Sequence, residues 1–148
     1  MEWHCKAFQD LSAAELYRIL DARVQVFVVE QNCPYPEIDG KDPESVHLYA
    51  TENGEVVAYA RLLPAGLSYT EPSIGRVLVK EELRKTGLGK TLMNRSMASM
   101  QELWEVDVIK IQAQDYARPF YASFGFEPIS DVYPEDGIPH VDMLWHRQ

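Results

Sequence analysis

The amino-acid sequence predicts an α/β (α+β) protein built on a single mixed, mostly antiparallel central sheet with flanking helices. Two observations carry that prediction. Apolar residues switch between period two and helical period along the chain, in the order β-α-β-β-β-α-β-α-β-β. Two dipeptides, Asn53-Gly54 and Asp136-Gly137, stand between strand-like runs where a tight turn needs positive φ.

Residues 2–8 alternate as a first strand, with Trp3, Cys5 and Ala7 on one side. Ser12-Ala13-Ala14-Glu15 reads as a capping box, and Leu16, Ile19, Leu20, Arg23 or Val24, and Phe27 follow at helical spacing, so the first helix is predicted to reach about Val29. Pro34 and Pro36 forbid regular structure, and residues 31–44 are expected to be a polar loop. Residues 46–51 and 56–63 form a hairpin around Asn53-Gly54, and after Pro64, Gly66 and Pro72 the next strand is predicted over residues 74–79. Leu88, Leu92, Met93, Met97 and Met100 recur at helical intervals between residues 87 and 103, with the methionines as core. Residues 106–113 alternate as a strand, residues 117–124 read as a short helix stopped by Gly125, and strands over 127–133 and 140–146 close the chain.

A chain of 148 residues fits one domain, residues 1–148, large enough to bury a core without staples. The net charge of −9 argues against nucleic acid, which needs a basic face, and suits a cationic acceptor such as an amine. Its main effect is solubility. The start MEWHCKAF lacks a basic segment followed by an apolar run, and no apolar stretch is long enough for a bilayer, so a soluble, cytoplasmic protein is expected. Cys5 and Cys33 have neither metal-ligand spacing nor a disulfide framework, so no metal is expected; both read as packing residues, with Cys33 the more exposed.

The segment Arg84-Lys85-Thr86-Gly87-Leu88-Gly89 lies between a strand and a helix, where first-turn N–H groups lack partners and the helix dipole favours an anion. A Walker A loop would need glycine at position 84, where Arg84 stands; a dinucleotide fingerprint would need glycine at position 92, where Leu92 stands. What remains is Arg-x-x-Gly-x-Gly directly after a strand. It resembles the acetyl-coenzyme A signature of the GNAT family of N-acetyltransferases, although an ordinary helix N-terminus with two glycines has the same spacing. A second match lies at Phe120-Tyr121-Ala122-Ser123-Phe124-Gly125-Phe126, which is similar to the GNAT segment Tyr-x-x-x-Gly-Phe. Gln114 stands where many members have asparagine. The resemblance implies a sheet whose central strands splay apart. It implies that acetyl-CoA is the co-substrate, with its pyrophosphate on the amides of Arg84, Lys85, Thr86, Gly87, Leu88 and Gly89. The acyl arm is implied on Val77, Leu78, Val79 and Gln114, with the Val79 N–H as oxyanion donor.

Four further segments narrow the resemblance to the ElaA-like branch of that family: Val26 through Tyr35, Glu37 through Asp42, Ala60 through Pro64, and Glu135 through His140. Acyl transfer to an amine expels a thiolate that benefits from a proton, and a tyrosine with an ordinary pKa of about 10 still carries one at neutral pH. Tyr121 is the candidate general acid, the alternative being an aromatic that packs beneath the coenzyme. Glu30, Asp39, Asp42, His47, Glu135, Asp136 and His140 all fall in or beside loops on the acceptor side, and none is singled out as base. Arg61 and Arg76 fall on adjacent predicted strands, positioned to pair with these acids. The expected activity is acetyl transfer to a small-molecule or peptide amine by direct attack; the alternative is a non-catalytic acyl-CoA sensor. An edge strand near the C-terminus is expected as a place for a homodimer contact.

Overall fold

A computed structural model describes residues 1–148. Eight strands, β1 (Glu2–Ala7), β2 (Val46–Glu52), β3 (Glu55–Leu63), β4 (Ser73–Val79), β5 (Val108–Gln114), β6 (Glu127–Pro128), β7 (Tyr133–Glu135) and β8 (Ile138–His146), form one sheet. Its order is β1-β2-β3-β4-β5-β8-β6, with β7 also on β8. Every pair is antiparallel except β4 with β5. The helices are α1 (Ala13–Val24), α2 (Leu88–Trp104) and α3 (Arg118–Ala122).

Local chemistry accounts for most of these boundaries. Ser12 Oγ accepts from Glu15 N at 3.0 Å and Glu15 Oε1 accepts from Ser12 N at 2.8 Å, the reciprocal bonds of the capping box. Asn53 and Gly54 take φ of 53° and 78°, and Asp136 and Gly137 take 50° and 77°, so both predicted turns form. The first helix departs from its predicted course. It leaves α geometry at Val24 and continues as a π-helical turn, Gln25–Glu30. The predicted strand over 127–133 is also divided, into β6 against Leu144 and Met143 and β7 against His140 to Ile138. After Ile129 N donates to Asp142 O at 2.9 Å, Asp142 N turns to Ser130 Oγ at 2.9 Å, so a side chain replaces the backbone partner where the ladder breaks. Because β6 and β7 occupy its outer side, β8 is paired along both edges.

The sheet buries both faces unequally. The larger core lies under α2 and contains Leu48, Ala58, Leu62, Ile74, Leu92, Met93, Met100, Ile109, Val141 and Met143. The smaller one lies under α1 and contains Ile19, Tyr49, Val56, Tyr59 and Leu78. Met93 and Met100 are fully buried, in keeping with the core reading of the methionines. The two cysteines reverse the expectation: Cys33 is buried and Cys5 exposed. Cys5 sits on β1, an edge strand covered on one side only, whereas Cys33 tucks its Sγ toward the Asp136 carbonyl at 3.5 Å. No helix is long and apolar enough to cross a membrane.

The feature that positions the site is the join between β4 and β5. These parallel strands share one register pair, Ser73 with Lys110, supported by Lys110 N donating to Pro72 O at 2.9 Å. Toward their C-terminal ends no ladder joins them. A gap therefore opens in the middle of the sheet.

Candidate active site

One wall of the gap is the end of β4. Arg61 pairs with Gly75 and Tyr59 with Leu78, so Ala60 faces both Arg76 and Val77 and the strand bulges. Arg76 takes the left-handed conformation, φ 53°, that the bulge demands. Leu78 turns into the core under α1, while Val77 and Val79 pack against the core under α2. Lys80 N donates to Val57 O at 2.8 Å, and bonded pairs alternate along an antiparallel ladder. The Val79 N–H and C=O are thereby turned away from β3, toward the gap.

The turn before α2 supplies donors. After a single 3-10 turn, Glu81–Leu83, Lys85 takes φ 64° and Gly87 φ 90°. The first helical bond is Thr91 N to Gly87 O at 3.1 Å. The N–H groups of residues 85–90 find no acceptor in the protein, so consecutive donors and the positive end of a 17-residue helix coincide. Gly87 is the N-cap, in a conformation that disfavours a side chain. A methyl group on Gly89 would lie 3.6 Å from Phe120 Cζ and 3.8 Å from Val79 Cγ2, which locates the meeting point of α2, α3 and β4. Leu88 buries its side chain in the core and leaves only its backbone to the turn. Thr86 Oγ1 donates to the Leu83 carbonyl, Lys85 is exposed, and Arg84 donates from Nε to Val79 O at 2.9 Å.

On the opposite wall, Gln114 ends β5 and donates from Nε2 to Gln31 Oε1 at 3.2 Å. Tyr121, in α3, packs edge-on against Phe120 and Phe126 with ring centroids 5.2 and 6.2 Å away. Its hydroxyl has no hydrogen-bond partner in the protein, and desolvation pushes its pKa up, so it keeps its proton. The structure thus sets Val79 and the turn of residues 84–89 beside α3 on one side of the gap and Gln114 at the end of the strand on the other, with Tyr121 in α3 next to Phe120, while the Leu78 side chain belongs to the scaffold.

The candidate bases separate sharply. Residues 31–44 are not the solvated loop that their polarity predicts, because Glu37 and Asp42 are buried. Arg23 Nη2 and Arg76 Nε both donate to Glu37 Oε2, at 2.6 and 2.9 Å. Arg76 also reaches Asp39 at 3.4 Å, Arg61 donates to Asp39 Oδ2 at 2.7 Å, and Arg61 and Arg23 share Asp42 Oδ1. The result is a closed ring of alternating guanidinium and carboxylate groups that ties the loop to β3, β4 and α1. Burial alone would raise the pKa of Asp39 and Asp42, but Arg61 beside the first and Arg23 beside the second outweigh it and hold both below the usual carboxylate range. His47 lies beneath the ring. Its Nε2 faces the Asp42 carbonyl at 3.0 Å and must carry the proton, its Nδ1 accepts from Tyr59 at 2.7 Å, and burial pushes its pKa down.

Asp39, Asp42 and His47 are therefore engaged in structure. Glu30 is paired with Arg84, and Glu135 and Asp136 are exposed. His140 Nδ1 donates to the Ile138 carbonyl at 2.7 Å, which leaves Nε2 as an acceptor without a protein partner. Arg61 and Arg76 pair with acids as their strand positions suggest. Arg23, Glu37, Gln31 and Tyr35, whose hydroxyl donates to Glu37, are not among the expected site residues. The signal for Arg23 was its place in the apolar stripe of α1, where a charge requires a buried partner.

Comparison with known proteins agrees with this architecture. The Acetyltransferase (GNAT) domain matches residues 9–147. The chain belongs to the GNAT family. It is 42% identical over 145 residues to protein ElaA of Escherichia coli, covering 97% of this chain and 95% of that one, and its structure superposes on crystalline E. coli ElaA with a TM-score of 0.91 at 99% and 100% coverage. An acyl-CoA N-acyltransferase from Pseudomonas aeruginosa is 40% identical, with a TM-score of 0.92 and 97% and 98% coverage. A UPF0039 protein of Schizosaccharomyces pombe is 45% identical over 145 residues, 97% of this chain and 95% of the other. This GNAT chain lies on the ElaA-like branch, and its splayed β4 and β5 are the feature that the family resemblance implies.

Proposed function

We propose that residues 1–148 act as one catalytic domain that transfers an acetyl group from acetyl-CoA to the amine of a small molecule or peptide. The observation that carries this reading is the run of unpaired N–H groups at residues 85–90 beside the open edge of β4. A pyrophosphate needs such donors, and an extended amide-containing arm needs a free strand edge. The residues present therefore fit coenzyme A.

In this reading the amides of residues 85–90 bind the pyrophosphate and the gap-facing backbone of Val77 to Val79, with Gln114, orients the arm. Acetyl-CoA, when bound, supplies the activated thioester. The Val79 N–H is the donor for negative charge developing on the acyl oxygen. The C–N bond forms first; as the C–S bond then breaks, Tyr121 gives its Oη proton to the sulfur and regains one from solvent. The proton leaving the amine passes to solvent or to a neighbouring acceptor.

A thiol-release assay across a panel of amines, with coenzyme binding measured calorimetrically on the same sample, tests the proposal. Turnover with at least one amine is expected. Tight coenzyme binding without transfer to any acceptor would instead favour an acyl-CoA sensor.

A further inference from the structure

Arg84 opens the turn whose amides are free, yet its own guanidinium is occupied at two points. Nε donates to the Val79 carbonyl at 2.9 Å and Nη2 meets the Glu30 carboxylate at 2.7 Å. Glu30 ends the π-helical turn, and the next residue, Gln31, is hydrogen-bonded to Gln114 on the far wall of the gap. Two contacts from consecutive residues thus span the gap mouth, one to each wall. Departures from α geometry of this kind recur at functional sites.

Resting on the acyl-CoA reading above, we infer that Glu30 is an internal competitor of the coenzyme for Arg84. Pyrophosphate binding would displace it as an unpaired anion at the mouth through which an amine must enter. Both partners of the ion pair are solvent-accessible, with 39% and 33% of their side-chain surface exposed, so the pair is weakly held. A pyrophosphate on the adjacent amides offers Arg84 a more highly charged, bidentate partner and repels the carboxylate at the same time. The displaced carboxylate is then left without a protein cation and is available to an ammonium group. Coenzyme and acceptor binding accordingly strengthen one another.

Calorimetric titration with coenzyme A at low ionic strength tests the inference on the wild-type chain, Glu30→Gln, Arg84→Ala and the double variant. Glu30→Gln should bind coenzyme A about two- to fivefold more tightly than wild type, within the range open to a weak surface pair. Arg84→Ala should bind more weakly, and the gain from Glu30→Gln should vanish in the Arg84→Ala background. With an amine that turns over, Glu30→Gln should lower the KM for acetyl-CoA and raise that for the amine. Wild-type binding with no gain in Glu30→Gln overturns the inference. So does a gain that survives undiminished without Arg84, because it would then reflect general charge rather than competition. KM values that move in the same direction overturn the acceptor half. Failure of the wild-type chain to bind coenzyme A would strike the acyl-CoA reading instead, while unchanged thermal melting of each variant separates these results from misfolding.

Discussion

Arg23 and Arg61 donate to the same oxygen of Asp42, Oδ1, at 2.7 and 2.9 Å. One carboxylate, 5% exposed, is thus the common counter-charge for two buried guanidinium groups from α1 and β3.

Replacing Asp42 by alanine leaves both cations short of a partner in a poorly solvated site. Asp42→Ala is expected to destabilise the fold by about 3–5 kcal/mol, the usual effect of breaking a buried charge pair on one side. Urea unfolding followed by circular dichroism measures this. A loss within experimental error of zero would show that solvent reaches the ring freely.

Stability should also fall with acid in two separate windows. His47 is held neutral by burial, so its folded pKa lies below the unfolded value of about 6.5; as pH drops below that value the unfolded chain takes up a proton first and stability declines. Asp39 and Asp42 have folded values below the unfolded value of about 3.9, so their contribution is intact above that pH and is lost as pH falls through the folded values. Urea midpoints between pH 7.5 and 5 should fall for wild type and stay level for His47→Gln, which keeps a donor toward the Asp42 carbonyl. Parallel curves would remove His47 from the upper window.

Glu15 offers an independent acid marker. Hydrogen bonds from Lys6 and Tyr49, with the Ser12 cap, lower its pKa to about 2. Its contribution should be lost as pH falls from about 4.3 toward that value. Glu15→Ala, which removes half of the capping box as well, should cost about 1 kcal/mol near neutrality. Thermal melts at pH 7 and pH 3 should show a smaller difference between variant and wild type at the lower pH.

Tyr121→Phe removes a hydroxyl that has no hydrogen-bond partner in the protein and keeps the ring that packs on Phe126. The fold should be unaffected, coenzyme affinity should change less than about twofold, and turnover should drop by about a hundredfold, the lower end for loss of a proton donor. An unchanged rate would assign Tyr121 to packing.

The two glycines of the turn should behave differently. Gly87→Ala places a side chain at φ 90° and should destabilise the fold by about 1–2 kcal/mol. Gly89→Ala meets Phe120 and Val79 at ordinary contact distances, so stability should hold; the amide donor is kept, and coenzyme affinity should fall on the order of tenfold because the added methyl group holds the pyrophosphate off the backbone. Melting temperature and calorimetric titration of both variants separate the two effects.

Much of this fold can be read from residue order because its signals are local. The Ser12 cap, the two left-handed turns and the alternation of residues 56–63 depend on neighbours within a few positions. So does the glycine turn before α2. The π-helical turn does not: Gln31, the residue that follows it, finds its partner in Gln114, 83 positions away. The arginine–carboxylate ring is similarly hidden. Glu37, Asp39 and Asp42 look like loop polarity until Arg23, Arg61 and Arg76 are brought over them from three separate elements. Strand positions suggested that Arg61 and Arg76 meet acids, but not that Arg23 closes the circle.

The single register pair between β4 and β5 has a further effect. It creates a sheet edge in the interior of the molecule, with backbone donors and acceptors unpaired although strands lie on either side. Free edges ordinarily recruit strands from other chains and lead to aggregation, and proteins blunt them with charge, proline or cover. Here the cover is the remainder of the same sheet, with α3 across the gap. The edge is kept available to a thin extended ligand while a second polypeptide is kept out, so binding capacity and resistance to misassembly come from one break in the ladder.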